Sequence, residues 1–173
     1  PAMPTFQELY GLKGAMISAV DLLRGIGKYA GLEVVEVPGA TGNIDTNYEG
    51  KVEAALSALN TLDFVYLHVE APDEAGHEGK MDEKIRAIEL FDERVVGPVI
   101  EGLRRRGDDW RVLLLPDHAT PIAIKTHSRE PVPFAMMGKG IEPDGAGAFN
   151  EDEAKRGGFG LVEATKLIGM MAR

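Results

Sequence analysis

Short apolar runs alternate along the chain with longer stretches whose hydrophobic residues recur at helical steps. After a turn-rich, weakly patterned start at residues 1–13, Gly14-Ala15-Met16-Ile17-Ser18-Ala19 reads as a short buried strand. From residue 20 to 30 the apolar positions Leu23, Ile26 and Ala30 have helical spacing, and Gly31 follows as a C-terminal stop. Residues 32–37 are β-branched enough for a second strand, closed by Pro38-Gly39. The segment Gly39-Ala40-Thr41-Gly42-Asn43 lacks the Gly-Lys-Ser/Thr ending of a phosphate-cradling loop, so it reads as a plain strand-to-helix turn. Thr46 with Glu49 has the pattern of a capping box and opens a helix whose apolar face is Val52, Ala55, Leu56 and Leu59.

Residues 63–69 form the clearest strand, mostly apolar on both faces, as in a parallel sheet covered by helices. Met81, Ile85, Ile88, Val95, Val99 and Leu103 follow the register of one long helix, which Pro98 is expected to kink or break near Gly97. Further strands are expected at residues 110–115 and 132–137, and a terminal helix at 161–171. Residues 138–160, rich in glycine and acidic side chains, read as a mobile surface loop. Strands alternating with helices imply an α/β fold, a mainly parallel sheet with helices on both faces. At 173 residues with 44% hydrophobic content, the expectation is a single domain spanning 1–173.

A formal net charge of −9 argues against a nucleic-acid partner, which requires a basic face to displace counterions. The one basic run, Arg104-Arg105-Arg106, is offset by Asp108 and Asp109 and reads as a solvated helix end. Without cysteine there is no disulfide and no thiolate site, so any metal must be held by oxygen and imidazole. No apolar run approaches the ~20 residues that span a bilayer, and no leader of signal type stands out. A soluble, cytoplasmic protein without a membrane partner is expected. The start at Pro1-Ala2-Met3-Pro4 suggests a processed product or an excised piece.

Three of the four histidines fall in polar segments directly after predicted strands, where open α/β sheets place their ligands, and carboxylates accompany them. After the strand at 63–69 comes Glu70-Ala71-Pro72-Asp73-Glu74-Ala75-Gly76-His77. After that at 110–115 comes Pro116-Asp117-His118, then Thr126-His127. Asp73 and His77 can meet on one ion if Glu74-Ala75-Gly76 folds as a turn, for which Gly76 would supply a positive φ. Asp117 and His118 can converge beyond the strand end. Such donors suit Zn²⁺ or Mn²⁺ best, with Mg²⁺ possible. Two ions about 3.5–4 Å apart would stabilise the entering and leaving oxygens of a phosphoryl displacement. His68, inside its strand, reads as a satisfied core histidine, and Glu70 and Glu74 as solvated charges.

The segments 69–79, Pro116-Asp117-His118 and Thr126-His127-Ser128-Arg129-Glu130-Pro131-Val132-Pro133-Phe134 closely resemble the cofactor-independent phosphoglycerate mutases. The archaeal-type branch, within the alkaline phosphatase superfamily, fits best. The resemblance extends to Val37-Pro38-Gly39-Ala40-Thr41-Gly42 and Asp45-Thr46-Asn47-Tyr48-Glu49-Gly50-Lys51. It implies an alkaline-phosphatase-like core, present here only in its C-terminal part. It also implies two divalent ions, most often manganese with zinc, magnesium or cobalt as alternatives. Asp73, His77 and His127 would hold one ion, and Asp117 and His118 would help hold the other. Arg129 is a weak candidate for contact with the substrate phosphate.

In that family an early Asp and a serine that becomes phosphorylated complete the site, and a substrate-gripping cap domain is inserted before the part resembled here. Ser18, Ser57 and Ser128 do not stand in the matching context, so no nucleophilic serine is expected in this chain. The family's phosphate-side lysine aligns with Leu9, leaving Lys13 as a weak substitute. The resemblance thus implies phosphoglycerate as the small-molecule partner, isomerised between its 3- and 2-phospho forms in glycolysis and gluconeogenesis. The missing N-terminal part of the same enzyme would be the second partner, and the fragment alone is expected to be inactive. The alternatives are a metal-dependent phosphatase or phosphonate hydrolase of the same superfamily, and a non-catalytic domain stabilised by a structural metal.

Overall fold

A computed structural model describes residues 3–172, so Pro1 and Ala2, on which the reading of the chain's start rests, lie outside the described residues. Two compact units divide after Arg106. The first runs α1 (Phe6–Tyr10), β1 (Gly14–Ile17), α2 (Asp21–Tyr29), β2 (Glu33–Val34), α3 (Tyr48–Ala58), β3 (Phe64–Leu67), α4 (Ala71–Glu78), α5 (Met81–Phe91), a π-helical segment (Asp92–Val96) and α6 (Gly97–Arg106). The second holds β4 (Arg111–Leu114), β5 (Ala135–Gly138), α7 (Glu151–Ala154) and α8 (Ala164–Met171). The mixed α/β class expected from the alternating pattern is the class observed.

In the first unit a parallel sheet has the order β2-β1-β3, with Ala15 beside Glu33 and Ile17 beside Leu67. All four residues of β1 are buried, as befits a central strand. Because β1 and β3 run the same way, Ser18 and His68 leave the sheet at the same rim. Tyr48, Val52, Leu90 and Val95 form a buried cluster, joining α3 to α5 and the π segment.

The break near Pro98 takes a definite form. Proline has no N–H for the carbonyl of Arg94, and its ring crowds that carbonyl. The helix therefore widens over residues 92–96, and the Gly97 N–H bonds Asp92 O, one residue further back than in an α-helix. In the last turn of α6, Arg106 turns toward α3, donating to Leu59 O at 2.9 Å and to Asn60 Oδ1 at 2.7 Å. The third arginine of the basic run thus caps a neighbouring helix's carbonyls instead of standing free in solvent.

The expected capping box at Thr46 is replaced by a cap one residue on. Asn47 Oδ1 accepts the Gly50 N–H at 2.9 Å and its amide donates to Pro38 O at 2.9 Å, while Thr46 Oγ1 accepts the Thr41 N–H. Asn47 therefore both starts α3 and ties down the preceding turn. Replacing Asn47 with alanine is expected to cost about 1–2 kcal/mol, read as a lower urea midpoint with unchanged slope.

In the second unit β4 and β5 pair antiparallel, Arg111 opposite Gly138 and Leu114 opposite Ala135. The segment between them contains no helix, so no crossover brings β5 round to run parallel. Arg111 donates to Lys139 O at 2.7 Å and to Met171 O at 3.0 Å, tying β4 to the exit of β5 and to the end of α8. The stretch read as a surface loop contains α7, capped by Asn150.

Candidate metal centre

Each unit carries part of the expected ligand set directly after one of its strands. In the first, β3 ends at Leu67 and α4 begins four residues later, so the anticipated turn through Gly76 does not exist. Pro72 in the first turn and the acidic pair Asp73 and Glu74 favour a helix start, while Gly79, at φ 75°, ends it. Asp73 and His77 are thus one helical turn apart on one face, with Oδ2 and Nε2 at 3.2 Å. Both side chains remain partly accessible, so their donor atoms can face a ligand. The first turn favours the carboxylate and the last turn the imidazole, in keeping with the helix dipole.

Lys84, His68, Glu70 and Lys51 surround this pair in ways that sequence spacing does not reveal. Burial draws the Lys84 ammonium below the usual lysine range, and the neighbouring charge of Asp73 opposes that pull. His68 lies just past β3, its Nδ1 3.2 Å from Ser18 Oγ and its Nε2 3.2 Å from Glu70 Oε2. Glu70 is therefore a partly buried partner of His68, contrary to its reading as a solvated charge; Glu74 is exposed. Lys51 is fully buried and donates to His68 O at 3.1 Å. The signal that could have found it is a helical stripe, Tyr48, Lys51, Val52 and Ala55, all four buried, which emerges only when Tyr48 is counted with the core.

In the second unit, Asp117 and His118 follow β4 after Leu115 and Pro116. The His118 N–H donates to Asp117 Oδ1 at 3.0 Å, and His118 Nε2 lies 3.4 Å from Asp117 Oδ2. His118 Nδ1 is 3.2 Å from the hydroxyl of buried Thr120, which restrains the ring from the other side. The chain then turns back through residues 121–125, where Lys125 adopts φ 53°, unusual for a side chain with a Cβ. A bridge between Ala119 and Ser128 closes this loop. As a result the rings of His118 and His127 lie with centroids 3.6 Å apart. Arg129, just beyond the bridge, is exposed.

Donor chemistry can be judged within each unit. Asp73 with His77, and Asp117 with His118 and His127, are carboxylate and imidazole groups already held at or near contact distance, with no sulfur. Such a set fits a divalent ion of intermediate hardness. Ligating histidines usually have their second nitrogen oriented by a neighbour, and Thr120 stands in that relation to His118.

Comparison with known proteins agrees with this chemistry. A 2,3-bisphosphoglycerate-independent phosphoglycerate mutase of Methanothrix thermoacetophila is 64% identical over 171 residues, which are 99% of this chain and 44% of that protein. The solved structure of the PH0037 protein from Pyrococcus horikoshii matches with a TM-score of 0.90 at 32% identity, over 97% of this chain and 50% of that one. The cofactor-independent phosphoglycerate mutase from Thermoplasma acidophilum shares the fold, with a TM-score of 0.69 at 22% identity, over 99% of this chain and 39% of that one. The chain therefore spans less than half the length of the Methanothrix relative. The Metalloenzyme superfamily model matches residues 1–173, and the chain belongs to that superfamily.

Proposed function

We propose that these residues are the C-terminal part of a phosphatase-like metal-binding domain in a cofactor-independent phosphoglycerate mutase. The observation that carries the reading is the pair of preset carboxylate and imidazole groups, each following a strand, in a chain of this superfamily. By the family resemblance, Asp73, His77 and His127 would hold one divalent ion and Asp117 and His118 would help hold a second, with manganese as the preferred occupant. Bound there, the ions supply positive charge against a phosphate's oxygens. This chain's residues orient the ions and leave the phosphate-accepting serine to the remaining part of the enzyme. In this reading Arg129 is the residue offered to the substrate phosphate. The working compartment is the cytoplasm; among the described residues no helix is long and apolar enough to cross a membrane.

The test has two arms. The 173-residue chain should bind Mn²⁺ weakly and convert no 3-phosphoglycerate to 2-phosphoglycerate in an enolase-coupled assay. Fused to the missing part of the Methanothrix relative, it should gain that activity without releasing phosphate. Release of stoichiometric phosphate from the fusion would make the protein a phosphatase, and brisk isomerisation by the chain alone would overturn the division of labour.

A further inference from the structure

Lys51 is the charged group that the proposed chemistry leaves unexplained. It is completely buried on the core face of α3, next to Tyr48 and Val52. Removing an ammonium from water is expensive unless its hydrogens and its charge are answered. Here Nζ donates to the carbonyl of His68 at 3.1 Å, and the nearby carboxylate of Glu70 opposes the burial that pulls its pKa down. A methionine would fill the same volume without that cost, so the charge marks a local requirement.

The contacts identify the requirement. His68 and Glu70 lie in the three-residue segment that leaves β3 and enters α4. The imidazole of His68 is held between Ser18 Oγ and Glu70 Oε2, which joins this segment to the end of β1. The carbonyl of Glu70 in turn accepts the Asp73 N–H at 2.8 Å and the Glu74 N–H at 3.3 Å. Lys51 thus grips the strand exit at His68 O and faces Glu70, whose backbone starts the helix bearing Asp73 and His77. Glycine or proline could have set this exit through backbone preference alone. Residues 68–70 contain neither, and polar contacts take that role.

We propose that Lys51 is a positioning residue that sets the direction of α4, and with it the alignment of Asp73 and His77 toward their ion. The role rests on the metal reading given above. Lys51 touches neither ligand and acts through the carbonyl of His68 and the charge of Glu70. Orienting groups that contact a metal's ligands commonly account for about 10–100-fold in affinity, and Lys51, one contact further out, belongs at the low end of that range.

Mn²⁺ titration of the 173-residue chain, followed by electron paramagnetic resonance of the free ion, tests this. Lys51→Met should weaken by about tenfold or more the phase that His77→Ala abolishes, with the far-ultraviolet circular dichroism unchanged. Val52→Ala removes core volume from the same helix and should lower the urea midpoint without moving that affinity. Should Lys51→Met fail to fold, Glu70→Gln, which keeps the shape but removes the facing charge, should shift the same phase in the same direction. Unchanged affinity in Lys51→Met, or an equal loss in Val52→Ala, overturns the positioning role alone. A wild-type chain that binds no Mn²⁺, alone or fused to the remaining part of the Methanothrix relative, overturns the metal reading, and the positioning role falls with it.

Discussion

Gly138→Ala is expected to destabilise the second unit by roughly 2–5 kcal/mol, combining backbone strain with overpacking. Gly138 adopts φ 120°, a conformation that residues with a Cβ rarely enter. An added Cβ would lie far inside van der Waals contact distance of Trp110 O and 2.9 Å from Arg111 Cα. That carbonyl cannot simply retreat, because it accepts the Lys139 N–H at 2.9 Å, and Arg111 is itself tied to Lys139 O and Met171 O. The clash is therefore backbone against backbone at the end of the β4–β5 ladder. Trp110 is the chain's one tryptophan, so its fluorescence in urea reports on this spot directly. Gly145→Ala provides the contrast: φ is 83° but open space surrounds it, and its cost should stay near ~1 kcal/mol. Equal urea midpoints for Gly138→Ala and wild type would refute the packing account of this corner.

The parts of the fold that sequence spacing foretells are those in which one physical signal dominates. Strands β1 and β3 stand out because their runs are short and apolar, and α2 because its stripe repeats at helical steps. Pro98 announces a break because no neighbour can restore a missing N–H. Whether that break becomes a kink or a π-helical segment depends on the packing of Val95 against Tyr48, Val52 and Leu90, which is a tertiary matter. The short helix α1 escapes detection because five residues carry no periodicity, although Thr5, Glu8 and Gly11 mark both of its ends. The cap at Asn47 is misplaced to Thr46 because the two side chains are chemically equivalent as acceptors. Only the turn at Pro38 decides which one faces the helix.

At the site the same division holds. That Asp73, His77, Asp117, His118 and His127 follow apolar runs is visible from the residues. That Asp73 and His77 stand on a helix is not, because the small residues Ala71, Ala75 and Gly76 bury α4 without an apolar stripe of large side chains. Pro72 and the acidic first turn were the available signals, and they suit a helix start as well as a loop. Nor does spacing show why His127 returns to His118, since that depends on a positive φ at Lys125 and on the bridge at Ser128. The buried charge of Lys51 is hidden for a different reason: lysine is ordinarily assigned to solvent, and the stripe that includes it appears only once Tyr48 is counted as core.

His77→Ala and His118→Ala are each expected to remove one of two bound Mn²⁺ ions, and the double variant both. Each substitution deletes an imidazole that is paired with a carboxylate in its own unit, Asp73 in one and Asp117 in the other. Losing a direct ligand should weaken the affected ion by at least about 100-fold, beyond the usual effect of an orienting neighbour. The remaining ion should persist, because each single substitution leaves the other ion's assigned ligands in place: Asp117 and His118 in the first variant, Asp73, His77 and His127 in the second. Neither histidine is a core residue, so the urea midpoints should shift little compared with Gly138→Ala. Metal counted by plasma mass spectrometry after equilibrium dialysis gives the stoichiometry directly. Thr120→Val separates ligand from support in the second pair: it keeps His118 but removes the hydroxyl beside Nδ1, and should lower affinity without lowering stoichiometry at saturation. If His118→Ala still holds two ions, Asp117 and His118 are not ligands. If His77→Ala alone abolishes all binding, the centre is mononuclear, and the charge available to a phosphate in transit is halved.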